Sequence, residues 1–282
     1  MRNSRKLLSL YGLKWNPFLP DLPLDGLWSP PGFETFLNGL EDLVMDGGFA
    51  MISGEPGLGK SKCLQMAAQR LSGLEDLIVG VMQRPQSSLG DFYREMGDLF
   101  GVRLTPANRY GGFKALRERW HDHIRTTLFR PVLLIDEAQE VSTTCLEEIR
   151  LLGSNLFDSQ CLLTTVLCGD TRLPERFRSP ALLSLGSRIR CRLTLSPHDQ
   201  EALADYLDQL LDKAGTPHLM SNALKTALVT HACGNLRVLT NIAANLLGEA
   251  SARELPQLDE KLFSELFARQ PPPTAKSRRK AS

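Results

Sequence analysis

Gly54-Glu55-Pro56-Gly57-Leu58-Gly59-Lys60-Ser61 satisfies the phosphate-binding pattern G-x-x-x-x-G-K-[ST] at every fixed position. The pattern has meaning only between a strand and a helix, and both flanks fit. Phe49-Ala50-Met51-Ile52-Ser53 before it is short and apolar, as a buried strand is. Lys62 to Leu71 after it places Leu64, Ala67, Ala68 and Leu71 on one helical face. Gly54, Gly57 and Gly59 reach backbone conformations closed to residues with a Cβ, so successive N–H groups can turn inward on an anion. The positive end of the following helix adds to that attraction. The candidate nucleotide contacts are the whole loop, with Glu55, Pro56 and Leu58 at its variable positions, and Lys62 just after it. Lys60 is expected on the β- and γ-phosphates, and the Ser61 hydroxyl on Mg²⁺. The expected ligands are therefore ATP and Mg²⁺.

A second stretch completes the chemistry. Val132-Leu133-Leu134-Ile135 is a run of four apolar residues, the mark of a strand covered on both faces. It ends in Asp136-Glu137, and two carboxylates there are costly unless they meet a cation or the solvent of a site. In a P-loop protein Asp136 is the expected Mg²⁺ ligand, directly or through water. Glu137 is the expected general base for the attacking water.

Cys161 to Cys168 reads as a further buried strand, with Gly169-Asp170 at its carboxyl end. Polar groups at such ends line the ligand crevice of parallel sheets. Asp170 has two readings: it orients the water or senses the γ-phosphate, or it caps the next helix. Residues 171–190 carry Arg172, Arg176, Arg178, Arg188 and Arg190. They read either as a solvated basic face or as an arginine finger aimed at a neighbouring subunit's nucleotide. Arg237, in Gly234-Asn235-Leu236-Arg237, falls in the first turn of a helix, where the dipole disfavours a cation and an outside anion would favour it. Arg103, Arg109, Lys114, Arg117 and Arg119 cluster in a loop and a helix expected over 113–129. They form either a solvated face or a track for nucleic-acid phosphates.

The chain has 282 residues, enough for one large or two modest domains, and a net charge of +1, so any nucleic-acid surface has to be local. Its six cysteines show no C-x-x-C pairing and read as buried thiols rather than zinc ligands or disulfides. No leader pattern follows Arg2, Arg5 and Lys6, and no apolar run reaches the length of a membrane span. The expectation is a cytoplasmic protein without a membrane segment.

Four segments are expected. Residues 1–31 are a lead-in whose Tyr11-Gly12-Leu13-Lys14-Trp15-Asn16-Pro17-Phe18 either staples the core or walls an adenine. Residues 32–195 are the α/β core. Residues 196–268 are an all-helical module opening at Ser196-Pro197-His198-Asp199. Residues 269–282, with Lys276, Arg278, Arg279 and Lys280, are a disordered basic tail.

These motifs together resemble the AAA+ ATPases, over about residues 10–268. Gly54–Ser61 corresponds to Walker A and Val132–Glu137 to Walker B. The strand ending at Gly169-Asp170 corresponds to sensor 1, Arg188 and Arg190 to the arginine-finger region, and Gly234–Arg237 to sensor 2. The resemblance implies a five-stranded parallel sheet in the order 5-1-4-3-2 with a C-terminal helical lid. It also implies self-assembly into a ring or filament with ATP held between subunits. The lead-in and Asp136-Glu137-Ala138-Gln139 are similar to two groups within that family. One comprises the ATPase partners of transposases (IstB, TnsC, TniB and Mu B), the other the ExeA-type ATPases of secretion. ExeA proteins carry a transmembrane segment and a peptidoglycan-binding region that this sequence does not show, so the transposition group is the expectation. It implies ATP-dependent, largely sequence-nonspecific binding of double-stranded DNA and its delivery to a transposase. The alternative is ExeA-like action on protein partners. Asp170 departs from that family's usual neutral polar residue at the sensor 1 position.

Overall fold

A computed structural model describes residues 2–86, 88–104 and 108–268 of the chain; the basic tail expected over 269–282 lies outside them. Two compact units result: the segment up to Trp28 joins the segment from His198, and Ser29–Pro197 forms the other.

In chain order, α1 (Arg2–Tyr11) and a 3₁₀ turn (Leu24–Gly26) precede α2 (Phe33–Asp46), β1 (Gly48–Gly54) and α3 (Lys60–Ser72). Next come β2 (Val79–Met82), α4 (Leu89–Phe100), α5 (Arg109–Thr127), β3 (Val132–Ile135) and a 3₁₀ turn (Ala138–Glu140). They are followed by α6 (Thr143–Gly153), β4 (Ser154–Asn155), β5 (Gln160–Cys161), β6 (Thr164–Gly169), α7 (Arg172–Arg176), α8 (Leu183–Gly186) and β7 (Ile189–Leu195). The helices α9 (Gln200–Lys213), α10 (Asn222–Ala232), α11 (Leu236–Ala252) and α12 (Glu260–Ala268) complete the described residues.

β2, β3, β6, β1 and β7 pair in that order, every contact parallel. Counting these five along the chain, the order is the expected 5-1-4-3-2. Alternation along the strands decides what covers the sheet. Phe49, Met51, Leu133, Ile135 and Leu167 point to one face, where α4, α5 and α6 pack through Phe92, Met96, Trp120 and Ile149. Ala50, Ile52, Val132, Leu134 and Val166 point to the other, under α2 and α3. Residues buried on both faces explain why β1 and β3 read as unbroken apolar runs.

The second unit is stitched from both chain ends. Lys14 N donates to Ala214 O at 3.0 Å and the Tyr11 hydroxyl to Leu255 O at 3.0 Å. Trp28 meets Tyr206 and His198 edge-on, with ring centroids 5.5 and 5.2 Å apart. The aromatic lead-in thus packs on α9 and the end of α11, as a staple does. It is part of the helical unit rather than a separate segment.

Several boundaries differ from the sequence reading. α5 begins at Arg109, four residues before the expected start, because Asn108 Oδ1 caps Gly111 N at 2.8 Å. Gly112, which looked like loop, is needed there: a Cβ would stand 2.9 Å from the Tyr93 ring. α6 is capped by Ser142 and stops at Gly153, where the β4–β5 hairpin follows. Asp199, not Ser196, caps α9, accepting from Ala202 N at 2.8 Å.

One buried acid ties the helices of the α4–α6 face together. Glu148 on α6 is 2% exposed and accepts from the Tyr93 hydroxyl and from the Arg109 guanidinium. Burial, then the Glu148 carboxylate, pushes the Tyr93 phenol far above its ordinary range. Arg109→Ala should lower stability by about 1–3 kcal/mol, the cost of leaving a buried acceptor short of a partner. Lys114→Ala on the same helix, at an exposed i,i+4 pair with Glu118, should stay within about 0.5 kcal/mol. Chemical unfolding of the two variants checks both.

Candidate nucleotide site

Sheet register brings the motifs together. In β1 and β6, Ser53 pairs with Gly169; in β3 and β6, Ile135 pairs with Leu167. The P-loop, the Asp136-Glu137 pair and Asp170 therefore leave neighbouring strands at one edge of the sheet. This is the carboxyl edge, where ligands of parallel sheets bind.

The loop is shaped for an anion. Gly57 and Gly59 have φ of 88° and 97°, turning the backbone as the sequence required. Gly59 is the N-cap of α3 and supplies no side-chain acceptor, and the first turn of α3 holds no acidic residue. The N–H donors of that turn thus face outward without a built-in counter-charge, which suits phosphate oxygens. Lys60 is 8% exposed, and its amine donates to Glu55 O at 2.8 Å, folded back across the loop it would share with a phosphate. Ser61 beside it is exposed. These donors, with Ser61 and Asp136 as oxygen ligands, fit a magnesium nucleotide.

Asp136 accepts from Glu137 N at 2.9 Å. Burial pushes the neighbouring Cys168 thiol well above its usual range, and the Asp136 carboxylate adds to the shift. Glu137 has left-handed backbone geometry (φ 50°, ψ 39°), uncommon for a residue with a Cβ. Its side chain is exposed and accepts from the Gln139 amide.

The Asp170 carboxylate turns to Arg172, accepting from its N at 2.9 Å and its Nε at 2.8 Å. The Arg172 guanidinium holds that carboxyl below the usual carboxylate range. These bonds sit just before α7, whose N-cap is Thr171 without a side-chain cap, and both readings of Asp170 stay open. Arg172 also pairs with Glu140 at 2.8 Å. Gln139 carried no role in the sequence reading, and Arg172 was read only among the arginines of 171–190; Gln139 stood in the quoted Asp136–Gln139 stretch, but nothing in its spacing shows what it touches.

Arg188 and Arg190 lie at the opposite, amino-terminal edge of the sheet. Arg188 binds Asp158 of the β4–β5 hairpin and the Ser184 carbonyl; Arg190 reaches Asp46 at 3.4 Å and Gly47 O at 3.0 Å. They line a cavity of about 550 Å³ with Arg130 and Arg150. At the hairpin tip the Leu156 and Phe157 side chains stand in solvent. Arg237 lies in the other unit, in the first turn of α11, exposed and without an ion pair among the described residues. Asn235 Oδ1 already caps that turn, accepting from Arg237 N and Val238 N.

The five candidate DNA cations divide. Arg109 is engaged by Glu148, and Arg117 caps α6 through the carbonyls of Leu152 and Ser154 and the Asn155 side chain. Arg103, Lys114 and Arg119 are exposed.

Comparison with known proteins agrees with this architecture. Residues 44–177 match the family described as AAA domain. General secretion pathway protein A of Aeromonas hydrophila is 31% identical over 193 residues, which are 67% of this chain and 34% of that protein. The chain therefore spans about a third of that relative's length. Among solved structures, Cdc6p of Pyrobaculum aerophilum superposes with a TM-score of 0.66 at 13% identity, over 86% of this chain and 67% of that one. The Aeropyrum pernix ORC1 protein, solved in complex with DNA, gives 0.65 at 16% identity over 89% and 68%. At such identities the likeness is one of fold. By motif, strand order and the match of residues 44–177 together, the chain has the α/β fold of the AAA+ P-loop proteins, with a five-stranded parallel sheet.

Proposed function

We propose that this chain hydrolyses ATP in a self-assembled ring or filament and uses the nucleotide cycle to act on a partner. The observation that carries this reading is that Lys60 and the Asp136-Glu137 pair follow the carboxyl ends of β1 and β3, the two strands that flank β6. The loop N–H groups and Lys60 bind and neutralise the β- and γ-phosphates of the substrate. Ser61 and Asp136 would hold Mg²⁺, which supplies charge neutralisation at the phosphoryl oxygens when bound. Glu137 takes the proton of the attacking water. Arg188 acts across a subunit boundary on the neighbour's nucleotide, with Arg190 as the other candidate for that finger. Arg237 meets the γ-phosphate from the helical unit.

Two readings of the partner rest on different observations. In the first, the assembly binds double-stranded DNA with little sequence preference and delivers it to a transposase. It is supported by the likeness of the lead-in and Asp136–Gln139 to the transposase partners and by the exposed Arg103, Lys114 and Arg119. The likeness of the fold to an ORC1 protein solved with DNA is compatible with it. In the second, the assembly acts on protein partners as a secretion-type ATPase. It is supported by the identity to General secretion pathway protein A and by the engagement of Arg109 and Arg117 inside the fold. No helix among the described residues is long and apolar enough to cross a membrane.

Lys60→Ala should abolish nucleotide binding, read by titration with a fluorescent ATP analogue. Glu137→Gln should bind ATP and hydrolyse it about 10²–10⁴-fold more slowly, trapping the assembly; normal turnover by that variant would remove Glu137 from the mechanism. Arg188→Ala should lose hydrolysis in the assembly, and mixing it with Lys60→Ala subunits should restore part of it if the arginine acts in trans. The partner is read by a mobility shift of plain duplex DNA. A salt-sensitive shift appearing with a slowly hydrolysed ATP analogue and absent without nucleotide supports the DNA reading, and no shift at low salt supports the protein reading.

A further inference from the structure

The catalytic carboxylate does not stand alone at its strand end. Gln139 lies two residues beyond Glu137 in the 3₁₀ turn and is 7% exposed, buried although polar. A buried amide has to satisfy both of its ends. The Nε2 end donates to Glu137 Oε2, and the Oε1 end accepts from Asp170 N at 3.1 Å. Its backbone carbonyl accepts from Arg176 Nη1 at 2.6 Å, which fixes the turn to α7. One side chain thus spans the exits of β3 and β6 and ends on the carboxylate assigned to the water.

The surroundings are shaped for that span. Any Cβ on residue 169 would collide with Gln139 Oε1, and Gly169 leaves the space open. The Glu137 backbone is held in its left-handed geometry between Asp136 Oδ1, which takes its N–H, and Glu140 N, which donates to its carbonyl at 2.8 Å. The carboxylate is exposed, so without an anchor its rotamers are free.

We infer that Gln139 is a positioning residue for ATP hydrolysis: its amide fixes one oxygen of Glu137 to the backbone at the end of β6, leaving the other oxygen for the attacking water. The inference rests on the ATPase reading above. Because the amide is shared between the two strand ends, a displacement at Asp170 is transmitted to Glu137 through a single side chain.

The test is a mutant cycle with nucleotide affinity measured beside turnover. Gln139→Met keeps the bulk of the side chain and removes both hydrogen bonds. It should lower kcat about 10–100-fold, the scale of a catalytic group misplaced by about an ångström, with nucleotide affinity changed less than twofold. Gly169→Ala, which displaces Gln139 without altering it, should act in the same direction. In a Glu137→Gln background Gln139→Met should add nothing, because a residue acting through Glu137 has no further effect once Glu137 is gone. Hydrogen exchange supplies a readout independent of activity: the Asp170 amide should exchange faster in Gln139→Met, while the β1 amides stay as in the wild type. Wild-type turnover by Gln139→Met, or an equal loss in both backgrounds, overturns the positioning role. Unchanged exchange at Asp170 overturns the bridge itself. An inactive wild-type protein speaks against the ATPase reading instead and leaves the exchange measurement to decide the bridge.

Discussion

A nucleotide triphosphate needs N–H donors on one side and carboxylates that can hold a cation on the other, a few ångströms apart. Parallel pairing of β1, β6 and β3 meets that demand through backbone hydrogen bonds alone. Once Ser53 is level with Gly169, and Leu167 with Ile135, the P-loop and the Asp136-Glu137 pair have to emerge at the same edge, on either side of β6. The apolar side chains of these strands contribute by making a slip of register costly, since a shift of one residue would turn every buried side chain to the wrong face. The helices on both faces follow from that requirement.

Charge at the strand ends is managed as a network. Asp136, Glu137, Glu140 and Asp170 crowd one edge of the sheet, and their repulsion would open it without cations. Arg172 answers Asp170 and Glu140 together, and Arg176 is anchored on the Gln139 carbonyl. Glu137 is held by the neutral amide of Gln139. A neutral donor orients a carboxylate without neutralising it, which suits the proton-accepting role proposed for Glu137.

Much of this was legible in the sequence. The P-loop and the four-residue apolar strand before Asp136 followed from residue type and spacing, because phosphate chemistry and burial on both faces leave few alternatives; the strand order came only from the family resemblance of these motifs. The carboxyl-edge location of Asp170 followed in the same way, but its partner Arg172 did not. Side-chain pairing over two residues depends on rotamers that spacing does not encode. Gln139 was quoted and given no role for the same reason: its two partners come from different strands. The start of α5 was misplaced because Gly111 and Gly112 read as loop residues, whereas the ring of Tyr93 above Gly112 excludes any side chain there. Arg109 and Arg117 looked like surface cations, and their partners sit on α6 or just beyond it, 34 to 39 positions along the chain.

Arg188 is already bound within its own subunit, by Asp158 and the Ser184 carbonyl. An outside anion must displace partners whose effective concentration, set by a short folded tether, is of the order of millimolar or higher. Dilute free phosphate or nucleotide cannot compete with that. A phosphate presented by a docked neighbour can, because docking raises its own local concentration to the same scale. In the assembly proposed above, the internal pairing would act as a threshold that filters encounter from assembly.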